Sequence, residues 1–153
     1  MLFHLLTREV YVAEKDVAAL LPLTPLSFQI LLALADGERH GYGIMKEIDR
    51  RTKGRMTPAT GPLYLAAQRL MDQGLIAESE KRPAPEMDDQ RRRYYKLTEF
   101  GRRVAAAEVE RMAHLVGVAL EKRLADGQIE ISVTQHQGRS EPQRWNARDL
   151  EGR

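Results

Sequence analysis

Cysteine is absent from the 153 residues, so no disulfide framework, thiolate metal site or cysteine nucleophile is available, which suits a reducing compartment. The four histidines, His4, His40, His114 and His136, are scattered. No phosphate-binding glycine loop, HExxH motif or nucleophile elbow occurs, and Ser27, Ser79, Ser132 and Ser140 stand in no catalytic context. Neither catalysis nor a cofactor or metal is expected. No apolar run approaches the length needed to span a membrane. The opening MLFHLL is short for a signal segment, carries no basic start and soon meets Glu9. These features predict a soluble, cytoplasmic protein of one domain plus a tail.

Acidic excess is missing from the middle of the chain. Residues 39–103 hold 15 Lys/Arg against 9 Asp/Glu, a net of +6, whereas the rest nets −4. Phosphate contacts supply most non-specific nucleic-acid affinity, so this asymmetry points toward a polyanion.

The order of elements follows from periodicity and punctuation. Residues 1–23 form an extension with a weak helical stretch around Val12–Leu21 and an apolar start. Thr24 as N-cap and Pro25 at the first position open a helix that is apolar on most sides through Leu26, Phe28, Ile30, Leu31, Leu32 and Leu34, and therefore buried. Asp36-Gly37-Glu38 ends it. A second helix runs roughly Tyr42–Thr52 with Ile44, Met45 and Ile48 inward. His40 before it reads as a turn or packing residue, or alternatively as a ligand or base. A third helix follows within MTPATGPLYLAAQRLMDQGLI, with Thr60 as N-cap and Pro62 in the first turn. Leu63, Ala66, Ala67 and Leu70 give it one apolar face, and Gly74 stops it. Tyr64, Leu65, Gln68 and Arg69 lie beside or away from that face.

Leu75–Glu80 reads as a strand, Lys81–Gln90 as a loop with two prolines, and Arg91–Leu97 as a return strand that interleaves basic and aromatic residues. Three helices followed by a basic-tipped hairpin make a winged helix-turn-helix, in which the third helix enters the major groove and the wing lies along the backbone or minor groove. Thr98 then caps a long helix from Glu99 to about Ala125, some 40 Å by helical rise. Its stripe of Val109, Met112, Val116, Ala119 and Leu120, widened by Val104, Ala105, Ala113, Leu115 and Leu124, exceeds what a small head covers and predicts dimerisation. Beyond Gly127, Ile129, Ile131 and Val133 alternate with polar residues and allow a short strand. The rest of 127–153, including Trp145, reads as a polar, disordered tail. The predicted fold class is mainly α with a small β wing: a winged helix-turn-helix head over 24–97 and a dimerisation helix over 98–126.

With these residues placed, the chain resembles the PadR-like family of winged helix-turn-helix transcriptional regulators. The resemblance runs through LTPLSFQILLALADGERHGYGI (Leu23–Ile44), GPLYLAAQRLMDQGLI (Gly61–Ile76) and RRYYKLTEFGRR (Arg92–Arg103), and covers about two thirds of the chain. It implies a homodimer on an inverted-repeat operator, acting as a repressor and released in several members by a small, often aromatic effector. It also implies that Tyr64 approaches backbone phosphates and that Arg69 matches the family's Arg-Leu pair. Where the family often has a basic residue before that arginine, this chain has Gln68, which suits bidentate pairing with adenine.

The expected DNA-facing set is Thr60, Tyr64, Gln68 and Arg69 on the third helix, Lys53 and Arg55 before it, and Lys81, Arg82, Arg91, Arg92 and Arg93 in the wing. The expected dimer or effector-pocket set is Val109, Met112, Val116, Ala119 and Leu120. The expected partners are double-stranded DNA, a second copy and a small effector, with no membrane. A winged helix used only for protein interaction is the competing reading, but it has no need to concentrate +6 around helix three and the wing.

Overall fold

The computed structural model describes residues 16–80 and 93–125 in full and the backbone of 129–134 and 140–145. The chain divides into two compact units, Met1–Glu108 and Val109–Arg153.

In the first unit, α1 (Pro25–Leu34) starts where expected: Thr24 Oγ1 accepts the Ser27 N–H at 3.2 Å, and Pro25 occupies the first position. Its Ile30, Leu31, Ala33 and Leu34 are buried. Two arginines close its C-terminal end: Arg39 Nε donates to the Ala33 carbonyl at 2.8 Å and Arg102 Nη2 to the Ala35 carbonyl at 3.1 Å. Basic groups there offset both unpaired carbonyls and the helix dipole.

A strand not anticipated from sequence, β1 (Arg39–His40), leads into α2 (Gly41–Arg51). Two residues are too few for any alternation to show. His40 is the N-cap of α2, its Nδ1 accepting the Gly43 N–H at 2.9 Å. Arg51, at the other end of α2, donates to the Gln29 carbonyl at 3.0 Å and to Gln29 Oε1 at 2.6 Å, and so ties α2 to α1. Burial pulls the Arg51 guanidinium below its ordinary value.

Helix α3 (Thr60–Asp72) carries a correction. The N-cap is Ala59, which makes no side-chain cap bond, and Thr60 already lies inside the helix. Thr60 therefore does not cap, because its backbone has turned helical one residue before its hydroxyl is in capping position. The C-terminal end is as expected. Gly74 has φ +74°, Leu75 N–H donates to the Leu70 carbonyl and Gly74 N–H to the Met71 carbonyl, the paired bonds of a Schellman stop.

Strands β2 (Ile76–Glu78) and β3 (Tyr94–Leu97) complete an antiparallel sheet in the order β1-β3-β2. The register pairs Ile76 with Leu97, Glu78 with Tyr95, and His40 with Tyr94. Both wing strands are shorter than the sequence suggests, and Lys81–Gln90 falls outside the described residues. The core gathers Ile30, Leu31, Ile44, Ile48, Leu63, Leu70, Leu75, Ile76, Tyr95 and Val104. Val104 thus belongs to the head's core and not to the exposed stripe.

Helix α4 (Glu99–Glu121) is capped by Thr98, whose Oγ1 accepts the Gly101 N–H at 2.9 Å and donates to the Gly74 carbonyl at 2.6 Å. At 23 residues it spans about 34 Å by helical rise, shorter than the predicted run to Ala125. Arg123 takes φ 56°, and Leu124 N–H bonds back to the Ala119 carbonyl, so the chain turns out of the helix there.

In the second unit, β4 (Ile129–Thr134) pairs antiparallel with β5 (Ser140–Trp145), from Ile129 opposite Trp145 to Thr134 opposite Ser140. At 129–134 and 140–145 the chain is paired strand where a mostly disordered tail was expected; residues 126–128, 135–139 and 146–153 lie outside the described residues. The alternation at 129–133 did indicate its strand. SEPQRW has none, and it is a strand through its pairing, with Pro142 tolerated because both strands of a ribbon are edges.

Candidate nucleic-acid interface

Helix α3 shows which of its residues face away from the head. At about 100° per residue, the buried Leu63, Ala67 and Leu70 centre on one side. The opposite side then holds Gly61, Leu65, Gln68 and Asp72, with Arg69 on one flank and Tyr64 on the other. Leu65 is 55% exposed and Tyr64 41%. A Cβ built at Gly41 would lie 2.6 Å from the Tyr64 hydroxyl oxygen, so Tyr64 leans against the start of α2. Gln68 Nε2 donates to Asp72 Oδ1 at 3.0 Å, one helical turn on. The sequence places Leu65 beside or away from the apolar face but leaves it out of the expected DNA-facing set, and it gives no sign of Asp72 as the partner of Gln68. The buried triplet does point to Leu65, which lies about 200° from Leu63 on the wheel.

The turn between α2 and α3 presents Lys53 and Arg55, both exposed. It is rigidly built. Thr52 Oγ1 donates to the Ile48 carbonyl at 2.8 Å and accepts the Met56 N–H at 3.0 Å, while Thr57 donates to Asp49 Oδ1 at 2.8 Å. Lys53 takes φ 54° and Gly54 φ 75°, the left-handed pair that aims the turn. Glu47 lies nearby, and its hydrogen bonds from Arg50 hold its carboxyl below the ordinary value.

Of the wing residues, Arg93 is described and exposed, immediately before β3. Lys81, Arg82, Arg91 and Arg92 lie outside the described residues. The base of the wing is fixed by aromatic contacts: Tyr94 meets the His40 ring edge-on at 5.4 Å, and Tyr95 is buried beneath. Burial pushes the Tyr95 phenol above its ordinary value. The first unit therefore carries Thr60, Tyr64, Gln68, Arg69, Lys53, Arg55 and Arg93 on α3, the turn before it and the wing.

The second set belongs to the other unit. Val109 and Val116 are exposed, and Met112, Ala119 and Leu120 half-buried. Leu115, at 51%, and Leu124, at 78%, add exposed apolar surface. Among the described residues no group of three metal-ligating side chains comes together, and no helix is long and apolar enough to cross a membrane.

A family model, the transcriptional regulator PadR-like family, matches residues 30–107. A 37.1 kDa protein in a transposon of Streptomyces fradiae is 37% identical over 97 residues, 63% of this chain and 26% of that protein. The chain thus spans about a quarter of that relative's length. Among solved structures, a transcriptional regulator from Clostridium thermocellum is 26% identical, covering 65% of this chain and 90% of that one with TM-score 0.53. A PadR family transcription regulator from Clostridium difficile, 23% identical, covers 67% and 100% with TM-score 0.53 and shares the fold. With half of its length matched by the family model, the chain belongs to the PadR-like family of transcriptional regulators.

Proposed function

We propose that the protein is a homodimeric, sequence-specific DNA-binding regulator, a repressor released by a small apolar or aromatic effector. The observation that carries the reading is the outward face of α3, opposite the buried Leu63, Ala67 and Leu70, together with exposed Lys53 and Arg55 in the turn before that helix and exposed Arg93 just before β3. Helix α3 enters the major groove, where Gln68 pairs with adenine through Oε1 and its remaining N–H. Asp72 accepts the other N–H and so sets which way the amide faces. Lys53, Arg55, Arg69, Arg93 and the wing residues Lys81, Arg82, Arg91 and Arg92 contact phosphates. Tyr64, held against Gly41, gives its hydroxyl edge to the backbone, and Thr60 lies at the groove's edge.

Two copies pair through the α4 stripe of Val109, Met112, Val116, Ala119 and Leu120. The operator is then an inverted repeat whose half-sites lie about one helical turn apart. A ligand that enters between the paired stripes changes head separation and shifts the equilibrium by its differential affinity for the two states. A candidate that binds tightly and leaves DNA affinity unchanged would remove the effector from this account.

The division of labour is testable in one assay. Arg93→Ala is expected to weaken binding to all duplexes alike and to flatten the log K against log salt slope by about one unit. Gln68→Ala is expected to relax preference at one base pair by about 1–3 kcal/mol and leave the slope unchanged. Equal losses on random DNA for both variants would contradict the assignment.

A further inference from the structure

Leu65 is the one large aliphatic side chain that the first unit leaves exposed among the described residues. The unit's other exposed large hydrophobics, Tyr42 and Tyr64, each have company. Tyr42 stacks with His40 at 6.3 Å and receives Lys46 over its ring at 5.4 Å, and the Tyr64 hydroxyl meets Gly41. Leu65 instead stands at the outward apex of α3, about 200° around the helix from buried Leu63. Helical side chains lean toward the N-terminus. One turn in that direction is Gly61, around which a Cβ would find open space. On one flank Leu65 borders an open cavity that Leu23, Leu26, Pro62 and Ala66 also line, and its other flank adjoins the outward face that holds Gly61 and Gln68. Exposure at this point contributes nothing to the head's core, and the surface within reach carries Gln68 three residues on.

We infer that Leu65 is a specificity residue that reads the C5-methyl group of a thymine in the major groove, beside the base pair read by Gln68. Thymine alone among the four bases offers an apolar group there, and an apolar side chain is its complement. Leu65 and Gln68 sit on adjoining turns of one face, so they address neighbouring base pairs, and the half-site contains an A·T pair at each. The inference rests on the DNA-reading function proposed above.

The test begins with selection of a preferred duplex from a random-sequence pool by the full chain. Deoxyuridine then replaces thymine one position at a time, which removes a methyl group and leaves every hydrogen bond in place. Wild-type protein is expected to lose about fourfold in affinity at one thymine per half-site, the value of one buried methyl-sized group. Leu65→Ala is expected to bind the thymine and uracil duplexes equally, with its thermal melt unchanged because the side chain is exposed. Selective binding that is indifferent to every thymine-to-uracil change would overturn the role of Leu65 and leave the DNA-reading function standing. So would a Leu65→Ala protein that keeps the wild-type uracil penalty. Failure to recover any preferred sequence would overturn both.

Discussion

A methyl group added at Gly101 would overlap the Leu75 carbonyl oxygen and crowd Leu97 Cδ1, because the first turn of α4 lies directly on the backbone that joins α3 to β2. Gly101→Ala is accordingly expected to cost about 3 kcal/mol in urea unfolding, the upper range for overpacking, since backbone on both sides must move. Gly74 is required for another reason. It has open space around it but φ +74°, so Gly74→Ala is expected to cost only about 1 kcal/mol, the left-handed penalty alone. Equal losses for the two would contradict this reading of Gly101. Glu47 sets a pH response. Its carboxyl is held below 4.5 chiefly by the Arg50 hydrogen bond, so it adds stability above that pH, and the contribution is lost as pH falls through its folded value. Glu47→Gln should lower stability at pH 7 by about 0.5 kcal/mol and make no difference once acid has protonated the wild-type carboxylate, as read from paired denaturation curves.

The junction of α3, β2 and α4 combines a cap with a tertiary contact. Thr98 both caps α4 and donates to the Gly74 carbonyl, so Thr98→Ala is expected to cost about 1–2 kcal/mol, the upper range for cap removal. A loss below half a kcal/mol would mean that the backbone alone holds the junction. Thr24-Pro25, Gly74 and Thr98 were legible because a cap or stop is chosen by local dihedral chemistry. Leu63, Ala67 and Leu70 were legible because a buried face must repeat every 3.6 residues. Thr60 misled because threonine suits both the cap and the first helical turn, and only the backbone angles distinguish them. Strand β1 is two residues long, and β5 exists through pairing with Ile129–Thr134; neither leaves a period to detect. The end of α4 at a left-handed Arg123 was equally hidden, since arginine carries no preference for that conformation. On the candidate interface the residue types were visible in the sequence. The contacts that aim them, Tyr64 on Gly41 and Gln68 on Asp72, depend on which helix faces meet.

The candidate reading face lies in the unit that ends at Glu108, and the apolar stripe in the unit that starts at Val109. If the stripe pairs two chains, a charge placed in it should undo the pair. Val116→Asp is expected to shift sedimentation from dimer to monomer and to lower operator affinity at least tenfold by halving the number of heads engaged. A monomeric wild-type chain would contradict the proposed pairing. The surplus of basic residues over 39–103, a net of +6, makes salt the sharpest variable for the DNA-reading account, because phosphate contacts weaken steeply with ionic strength whereas base contacts persist. The decisive measurement is fluorescence-anisotropy binding to duplex DNA from upstream of the protein's own gene, against random duplex, across a salt series. The expected result is tight binding whose preference over random DNA is kept as salt rises. Weak binding, equal on both duplexes and erased by modest salt, would reduce the interface to a basic patch and contradict operator reading.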